Sequence, residues 1–177
     1  MNRPLKRQPD LTRQTLLAAA FEEIHRSGFR AASLDAILET TGVTKGALYH
    51  HFGSKAELGY AVVEEVIKPF VEAGWKPLLQ AEDCVSVALS LCKQLTQQRS
   101  ERAIECGCPF NNLINEMSPV DEGFRVRLQQ ILDDWRAGLI QALKAGQLRG
   151  VVRKDVEPAA AAAFIIGSIE GCVGMAK

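Results

Sequence analysis

Residues 33–58 read SLDAILETTGVTKGALYHHFGSKAEL, and this stretch decides the fold. Its apolar residues recur at helical spacing on both sides of a break at Gly42, so it predicts two short helices joined by a tight turn. Ser33 and Thr44 stand where these helices begin, and their hydroxyl groups suit the capping of free backbone N–H groups. Residues 33–52 therefore have the pattern of a helix-turn-helix.

The second helix of this pair is predicted to have an apolar face and a polar face. Leu48 and Phe52 lie four residues apart and should point inward. The residues expected to point outward are Thr44, Lys45, Gly46, Tyr49 and His50. Helices that enter the major groove of DNA contact bases through such N-terminal residues, and small residues among them let the backbone approach. Ser54 and Glu57 then form a capping box, which places Lys55 and free N–H groups where a phosphate would lie.

The sequence on either side of this stretch is also helical, and strand signals are almost absent. Upstream, an apolar stripe predicts a first helix that Thr12 caps and Gly28 ends. The starts predicted for later helices are Ser54, Asp83, Pro109, Ser118-Pro119 and Pro158. Pro69 is expected to kink or stop the first of these, and Gly146 to end the long helix that follows Pro119. We therefore expect an all-α fold.

Composition excludes a disordered chain, because 47% of the 177 residues are hydrophobic. The formal net charge is zero, but residues 1–60 hold eight basic and six acidic residues. Residues 1–9 form a basic N-terminal arm with Arg3, Lys6 and Arg7 and no acidic residue. Such an arm suits a polyanionic partner, although a solvated tail has the same composition.

The cysteines and the chain start predict a cytoplasmic protein. Five cysteines at irregular spacing give no disulfide framework, and no secretory signal opens the chain. The long apolar stretch 156–176 is rich in alanine and glycine and contains Glu157, Pro158 and Glu170. We interpret it as a packed helix, with no membrane partner, because bilayer spans contain more Leu, Ile and Phe.

Residues 10–70 resemble the DNA-binding domain of the TetR family of transcriptional regulators. The matching residues are Thr12-Arg13, Phe21, Gly28-Phe29, Ser33-Leu34, the run from Gly42 to Phe52, Ser54-Lys55 and Leu58. The resemblance implies an N-terminal three-helix DNA-binding domain (10–70) and a helical C-terminal domain (71–177) that binds an inducer and forms a homodimer. In the C-terminal domain, the segment from Cys106 through Asn112 to Glu116 resembles a turn seen in some members.

The resemblance also implies roles for residues that match the family's DNA-contacting positions. The expected base contacts are Lys45, Gly46 and Tyr49, and the expected phosphate contacts are Ser33, Thr44, His50, His51 and Lys55. For His51, a structural role in packing under the helix stays open. His25 lies opposite the apolar stripe of the first helix, so it is expected to be solvated.

The C-terminal helices are expected to enclose an apolar inducer cavity. The candidate lining residues are Phe70, Trp75, Leu91, Phe110, Leu113, Met117 and Trp135. No cluster of charged residues accompanies them, which favours an apolar or weakly polar small molecule over a charged one. In the last helix, the small residues Gly167, Gly171 and Gly174 would allow close approach of a second subunit, or else close packing within one subunit.

Other functional classes have weaker support in the sequence. An alternative signal is oxidation or alkylation of Cys108 at a helix start, with Cys106 nearby to trap the product. An enzyme is not expected, because every histidine lies in the predicted DNA-binding domain and no nucleophile or phosphate-loop motif is found. Two cysteines alone do not make a zinc site, and no cofactor is expected. A scaffold protein would lack salt-sensitive binding to a palindromic duplex.

Overall fold

The computed structural model describes residues 8–97 and 101–177 of the chain. Within those residues the chain forms α-helices and no β-strand, as the sequence predicted. The helices are α1 (Gln8–Ser27), α2 (Leu34–Thr41), α3 (Lys45–His51), α4 (Lys55–Val62), α5 (Lys68–Gln80), α6 (Cys84–Gln97), α7 (Glu101–Cys106), α8 (Pro109–Met117), α9 (Glu122–Arg149) and α10 (Pro158–Met175).

Helices α1 to α3 form a small domain whose turns depend on glycine. Gly28 ends α1 and Gly42 ends α2, with φ angles of 79° and 67° that side-chain-bearing residues rarely adopt. The chain thereby reverses twice within a few residues, and α2 and α3 pack across α1. Helix α1 begins at Gln8, so the predicted start at Thr12 was wrong. Pro9 fits this earlier start, because the first turn of a helix does not need its N–H group.

Helices α4 and α5 are joined by one π-helical turn, Val63–Ile67, and together form a continuous rod. Pro69 has no N–H group to donate to the carbonyl of the preceding turn, and the widened turn lies directly before it. The predicted kink or stop is therefore a π turn within a helix that continues. Ion pairs around this turn are Arg13–Glu65, Arg127–Glu64 and Lys68–Asp134. They fix the turn to α1 and to α9.

The C-terminal part is built around α9, the longest helix, with α5 and α10 packed along it. Gly138 of α9 makes the α5 contact possible, because a Cβ atom there would overlap the ring of Trp75. Gly146 lies inside α9 and packs against Val152 and Cys84. The helix continues beyond it to Arg149, so the predicted helix end at Gly146 was wrong. The helix ends at Gly150, whose φ angle is 79°.

Two further boundaries in the C-terminal part differ from the sequence prediction. Helix α9 begins after Asp121, whose Oδ1 accepts a hydrogen bond from the Phe124 N–H at 3.0 Å, and not at Ser118-Pro119. Aspartate is a stronger N-cap than the serine before the proline because its carboxylate also favours the positive end of the helix. Helix α7 was not predicted, since its six residues show no apolar period.

Candidate DNA-binding surface and effector cavity

The two caps of the helix-turn-helix are formed as the sequence indicates. The Ser33 side chain accepts from the Ala36 N–H at 3.3 Å, and the Thr44 side chain accepts from the Ala47 N–H at 3.2 Å. Capping satisfies N–H groups that would otherwise lack partners and fixes where each helix begins. On the inner face of α3, Leu48 is fully buried, and it anchors the short helix to the domain core.

The outer face of α3 brings together the predicted base-contacting residues. Lys45 and Gly46 are exposed, and 43% of the Tyr49 side chain is accessible. Nothing lies within 4 Å of the place where a Cβ atom of Gly46 would stand. His50 is exposed beside them. The arrangement leaves a cation, a bare backbone segment and an aromatic ring free to enter a groove.

The predicted phosphate contacts are less uniform. His51 is half-buried, with its ring centroid 5.6 Å from that of His50, so both a packing role and a phosphate contact stay open for it. The Lys55 ammonium donates to the Arg30 carbonyl oxygen at 3.1 Å and lies 5.1 Å from the centre of the Phe29 ring. An ammonium group has three donors, so Lys55 keeps capacity for a phosphate while it is held against the preceding loop.

The capping box beyond α3 is present in a modified form. Ser54 accepts from the Glu57 N–H at 3.1 Å, and the Glu57 carboxylate accepts from the Gly53 N–H at 2.9 Å. The carboxylate thus reaches one residue further back than in the usual motif. The predicted basic arm, including Arg3, Lys6 and Arg7, lies outside the described residues.

A cavity of about 270 Å³ lies between α5, α6, α9 and α10. Its walls are almost entirely apolar, and no charged side chain is among the described residues that line it. The lining residues include Leu78, Ala88, Leu91, Trp135, Leu139 and Ile169. Cys84 also borders the cavity, and burial raises the pKa of its thiol, so this wall remains neutral.

The seven residues predicted to line an inducer cavity are divided between the cavity, the core and the surface. Leu91 and Trp135 line it. Those that are buried in the hydrophobic core instead are Trp75, Phe110, Leu113 and Met117. Phe70 does not fit the prediction, because 53% of its side chain is exposed on α5. Helical spacing predicts that a side chain faces the apolar interior, but it does not distinguish a packed core position from a position in a cavity wall.

Cys108 is placed at the start of α8, as predicted, but its surroundings oppose thiolate formation. The thiol donates to the Glu170 carboxylate at a distance of 3.4 Å. Burial, reinforced by the negative charge of Glu170, raises the pKa of Cys108 to about 12. These surroundings do not favour the alternative of a reactive thiolate at this residue. The sequence could not show this contact, because Glu170 lies 62 residues after Cys108 in the chain.

Hydrogen bonds that the sequence did not predict join α1, the loop after it and α4 to α8 and its flanks. The Glu116 carboxylate accepts from the N–H groups of Phe29 and Arg30, each at 2.8 Å. The His25 ring nitrogen Nε2 is 3.0 Å from the Gly107 carbonyl oxygen, so the expectation of a solvated His25 was wrong. The residue before α9, Asp121, accepts from the Tyr60 hydroxyl at 2.8 Å.

Helix α10 has an uncovered apolar face. Ala162 and Ile166 pack against the rest of the chain, whereas 75% of Phe164 and 90% of Met175 are exposed. No atom lies within 4 Å of a Cβ placed on Gly167 or Gly171, so these two glycines do not serve packing within this subunit, whereas a Cβ on Gly174 would lie 3.9 Å from Asn111 Nδ2. Among the described residues, α10 is the helix that is long and apolar enough to cross a membrane, with a mean hydropathy of 1.5 over 18 residues.

An exposed recognition helix on a three-helix domain, followed by a helical domain with an apolar cavity, defines a helix-turn-helix DNA-binding regulator. Residues 16–62 match the model of bacterial regulatory proteins of the tetR family, and residues 89–177 match the tetracyclin repressor-like C-terminal domain. The chain belongs to the TetR family of transcriptional regulators.

Known regulators and solved structures agree with this assignment. The chain is 30% identical to the transcriptional regulator AcuR of Cereibacter sphaeroides, over 94% of this chain and 77% of that protein. It is also 30% identical to an HTH-type transcriptional regulator of Lactococcus lactis, over 94% of this chain and 83% of that protein. The structure superimposes on that of reduced E. coli NemR with a TM-score of 0.80 and 27% identity, over 93% of this chain and 87% of that one.

Proposed function

We propose that this protein is a cytoplasmic homodimeric repressor, which binds a palindromic operator and releases it when a small apolar molecule enters the effector cavity. The observation that carries the proposal is the capped, outward-facing α3, with Lys45, Gly46 and Tyr49 exposed on one face. We keep the division into a DNA-binding domain of residues 10–70 and an effector domain of residues 71–177.

The DNA contacts follow from the chemistry of these side chains. Lys45 can donate to the O6 and N7 atoms of guanine, and the Tyr49 ring can contact a thymine methyl group. Ser33, Thr44, His50 and Lys55 would contact phosphates and set the orientation of α3 without reading sequence. In a twofold dimer, two such helices would read half-sites about 34 Å apart, which is roughly one turn of B-DNA.

Selection of binding duplexes from a random library tests the DNA contacts. Lys45→Ala and Tyr49→Ala should each weaken binding to the selected duplex by roughly 10–100-fold, because each removes a base contact. Lys55→Ala should weaken binding to all sequences equally and reduce the salt slope by about one. Lys144→Ala on α9 is the control for loss of one positive charge. A Lys55→Ala protein with altered sequence preference and an unchanged salt slope would contradict the assigned role.

The apolar wall of the cavity supports the choice of inducer. A charged ligand would have to leave water without a partner of opposite charge among the lining residues that are described, which is costly. Neutral aromatic or aliphatic molecules that fit within about 270 Å³ are therefore the proposed class. Release of the selected duplex is measured with a panel of neutral and charged small molecules. Response to a highly charged metabolite alone would exclude the proposed class.

The uncovered face of α10 supports the dimer. Two such helices can approach closely along Gly167, Gly171 and Gly174, and doing so would cover Phe164 and Met175. Burial of that apolar surface would supply the driving force for association. The same contact would place the two recognition helices at a fixed separation, which a palindromic operator requires.

A further inference from the structure

The segment from Gly107 to Asp121 holds the DNA-binding domain through three separate sets of hydrogen bonds. Its first carbonyl oxygen, on Gly107, meets the ring of His25. Near the end of α8, Glu116 accepts from two N–H groups of the loop after α1. At its last residue, Asp121 accepts from a hydroxyl group of α4. This segment therefore spans the junction between the two domains.

The loop after α1 is shaped to receive a carboxylate. The positive φ angle of Gly28 turns the following N–H groups of Phe29 and Arg30 in one direction, and each donates to a different oxygen of Glu116. A Cβ atom on Gly28 would lie 2.9 Å from the nearer carboxylate oxygen. Only glycine at this position therefore provides both the backbone angle and the space for Glu116.

The same loop also holds Lys55. Both backbone polar groups of Arg30 are hydrogen-bonded, because its N–H donates to Glu116 and its carbonyl oxygen accepts from the Lys55 ammonium. A shift of Glu116 would therefore move a residue that is proposed to contact the DNA backbone. The pairing links a residue of the effector domain to the DNA surface through two hydrogen bonds.

The other end of α8 touches the cavity wall. Phe110, in the first turn of α8, lies with its ring centroid 6.4 Å from that of Trp135 in an edge-to-face contact. Trp135 lines the cavity, and Phe110 is almost fully buried. Glu116 lies six residues after Phe110, about 9 Å along the same rigid helix. Displacement of Trp135 by a ligand would consequently be transmitted to Glu116 as movement of α8.

We propose that Glu116 is the positioning residue through which occupation of the effector cavity releases the Gly28–Arg30 loop and so changes the DNA-binding surface. The proposal rests on the proposed function for the identity of the cavity as the effector site. By linkage, the ligand binds more tightly to the state in which the carboxylate has left the loop.

Amide hydrogen exchange, followed by NMR on the full chain, tests the first half of this proposal. In the wild type the amides of Phe29 and Arg30 should be protected. In Glu116→Gln, whose side-chain amide offers a single acceptor oxygen, they should exchange at least about tenfold faster. The backbone amide of Leu17 in α1 reports whether the domain stays folded, and Glu122→Gln, at an exposed position of α9, is the matched control. If Glu116→Gln unfolds the domain, the charge-preserving Glu116→Asp is measured instead.

Filling the cavity tests the second half, and it needs no operator. Two perturbations are compared: saturation with the neutral fluorescent probe N-phenyl-1-naphthylamine, and the cavity-filling variant Ala88→Phe. At least one should accelerate exchange at Phe29 and Arg30 in the wild-type background and have no further effect in Glu116→Gln. Unchanged protection under both perturbations, or equal acceleration with and without Glu116, overturns the proposal. A purely structural role for Glu116 would not produce this dependence on the cavity.

The operator assay separates failure of this proposal from failure of the proposed function. With the selected duplex, Glu116→Gln should bind about tenfold more weakly and should lose most of its response to cavity filling. If no duplex is selected, the proposed function fails while the exchange experiment still decides the role of Glu116. If a duplex is selected and Glu116→Gln responds to cavity filling like the wild type, the coupling proposal fails alone.

Discussion

Replacement of Gly59 by alanine should destabilise the protein, although the same change in an exposed helix stabilises it. Gly59 lies on α4, and a Cβ atom there would stand 2.5 Å from Phe29 Cε2 and 2.6 Å from Phe124 Cζ. Both phenylalanines are buried, and their rings already contact each other with centroids 4.6 Å apart. Neither ring can withdraw without displacing the core around it.

The magnitude is the difference between two opposing effects. Alanine in a helix is favoured over glycine by about 1 kcal/mol. Overpacking of a core costs about 1–3 kcal/mol, and the upper end applies here because two buried rings must each move by about 1 Å. The expected net loss in the free energy of unfolding is about 2 kcal/mol, which for a chain of this length corresponds to a decrease in Tm of about 4–8 °C.

Gly74→Ala in α5 is the matched control. This glycine is exposed, and no atom lies within 4 Å of a Cβ placed on it, so only the helix preference acts. A gain of about 0.5–1 kcal/mol is expected. Urea unfolding followed by far-UV circular dichroism measures both variants at one protein concentration, since the proposed dimerisation would make stability concentration-dependent. Equal or increased stability of Gly59→Ala would refute the steric reasoning.

The remaining predictions concern the titration of Asp121, the reactivity of the Cys108 thiol and the dimer interface. Hydrogen bonds from the Phe124 N–H and the Tyr60 hydroxyl lower the pKa of Asp121. The ionised Asp121 carboxylate therefore contributes fully to the free energy of unfolding above its ordinary pKa near 4, and this contribution is lost as pH falls through the lowered pKa. Tyr60→Phe should therefore shift the acid limb of urea-unfolding curves between pH 2 and 5 toward higher pH, and an unmoved limb would argue against this coupling. Cys108 should react with iodoacetamide at pH 8 far more slowly than exposed Cys92, as peptide mapping would show, and comparable rates would contradict its raised pKa. Gly171→Leu should produce monomers in analytical ultracentrifugation, and a folded dimer would exclude this helix from the interface.

The fold class and the recognition helix could be predicted because their signals are local. A cap such as Ser33 or Thr44 acts on an N–H group three residues away, and a glycine such as Gly42 sets the backbone angle of its own residue. The burial of Leu48 follows from helical spacing within a seven-residue helix. Each of these effects depends on residues within about one helical turn of one another, so it could be predicted from the sequence alone.

The candidate cavity and the domain junction depended on tertiary structure. Leu91 and Phe70 are both apolar residues of predicted helices, but one lines the cavity and the other is exposed. Helical period gives the direction of a side chain relative to its own axis, whereas its neighbours depend on how several helices pack. The alternative of a reactive Cys108 is not favoured for the same reason, because desolvation and Glu170 outweigh the effect of the helix start.

Sequence by itself thus determined that the chain is helical, where the DNA-binding helix lies and which of its faces is polar, since these properties arise from interactions among residues close in the chain. Only the tertiary structure decided that Glu116 holds the loop at Phe29, 87 residues earlier. A half-buried glutamate on a short helix has no sequence signal for its partner. The hydrogen bonds exist because packing places its carboxylate opposite two N–H groups that a distant glycine has turned toward it.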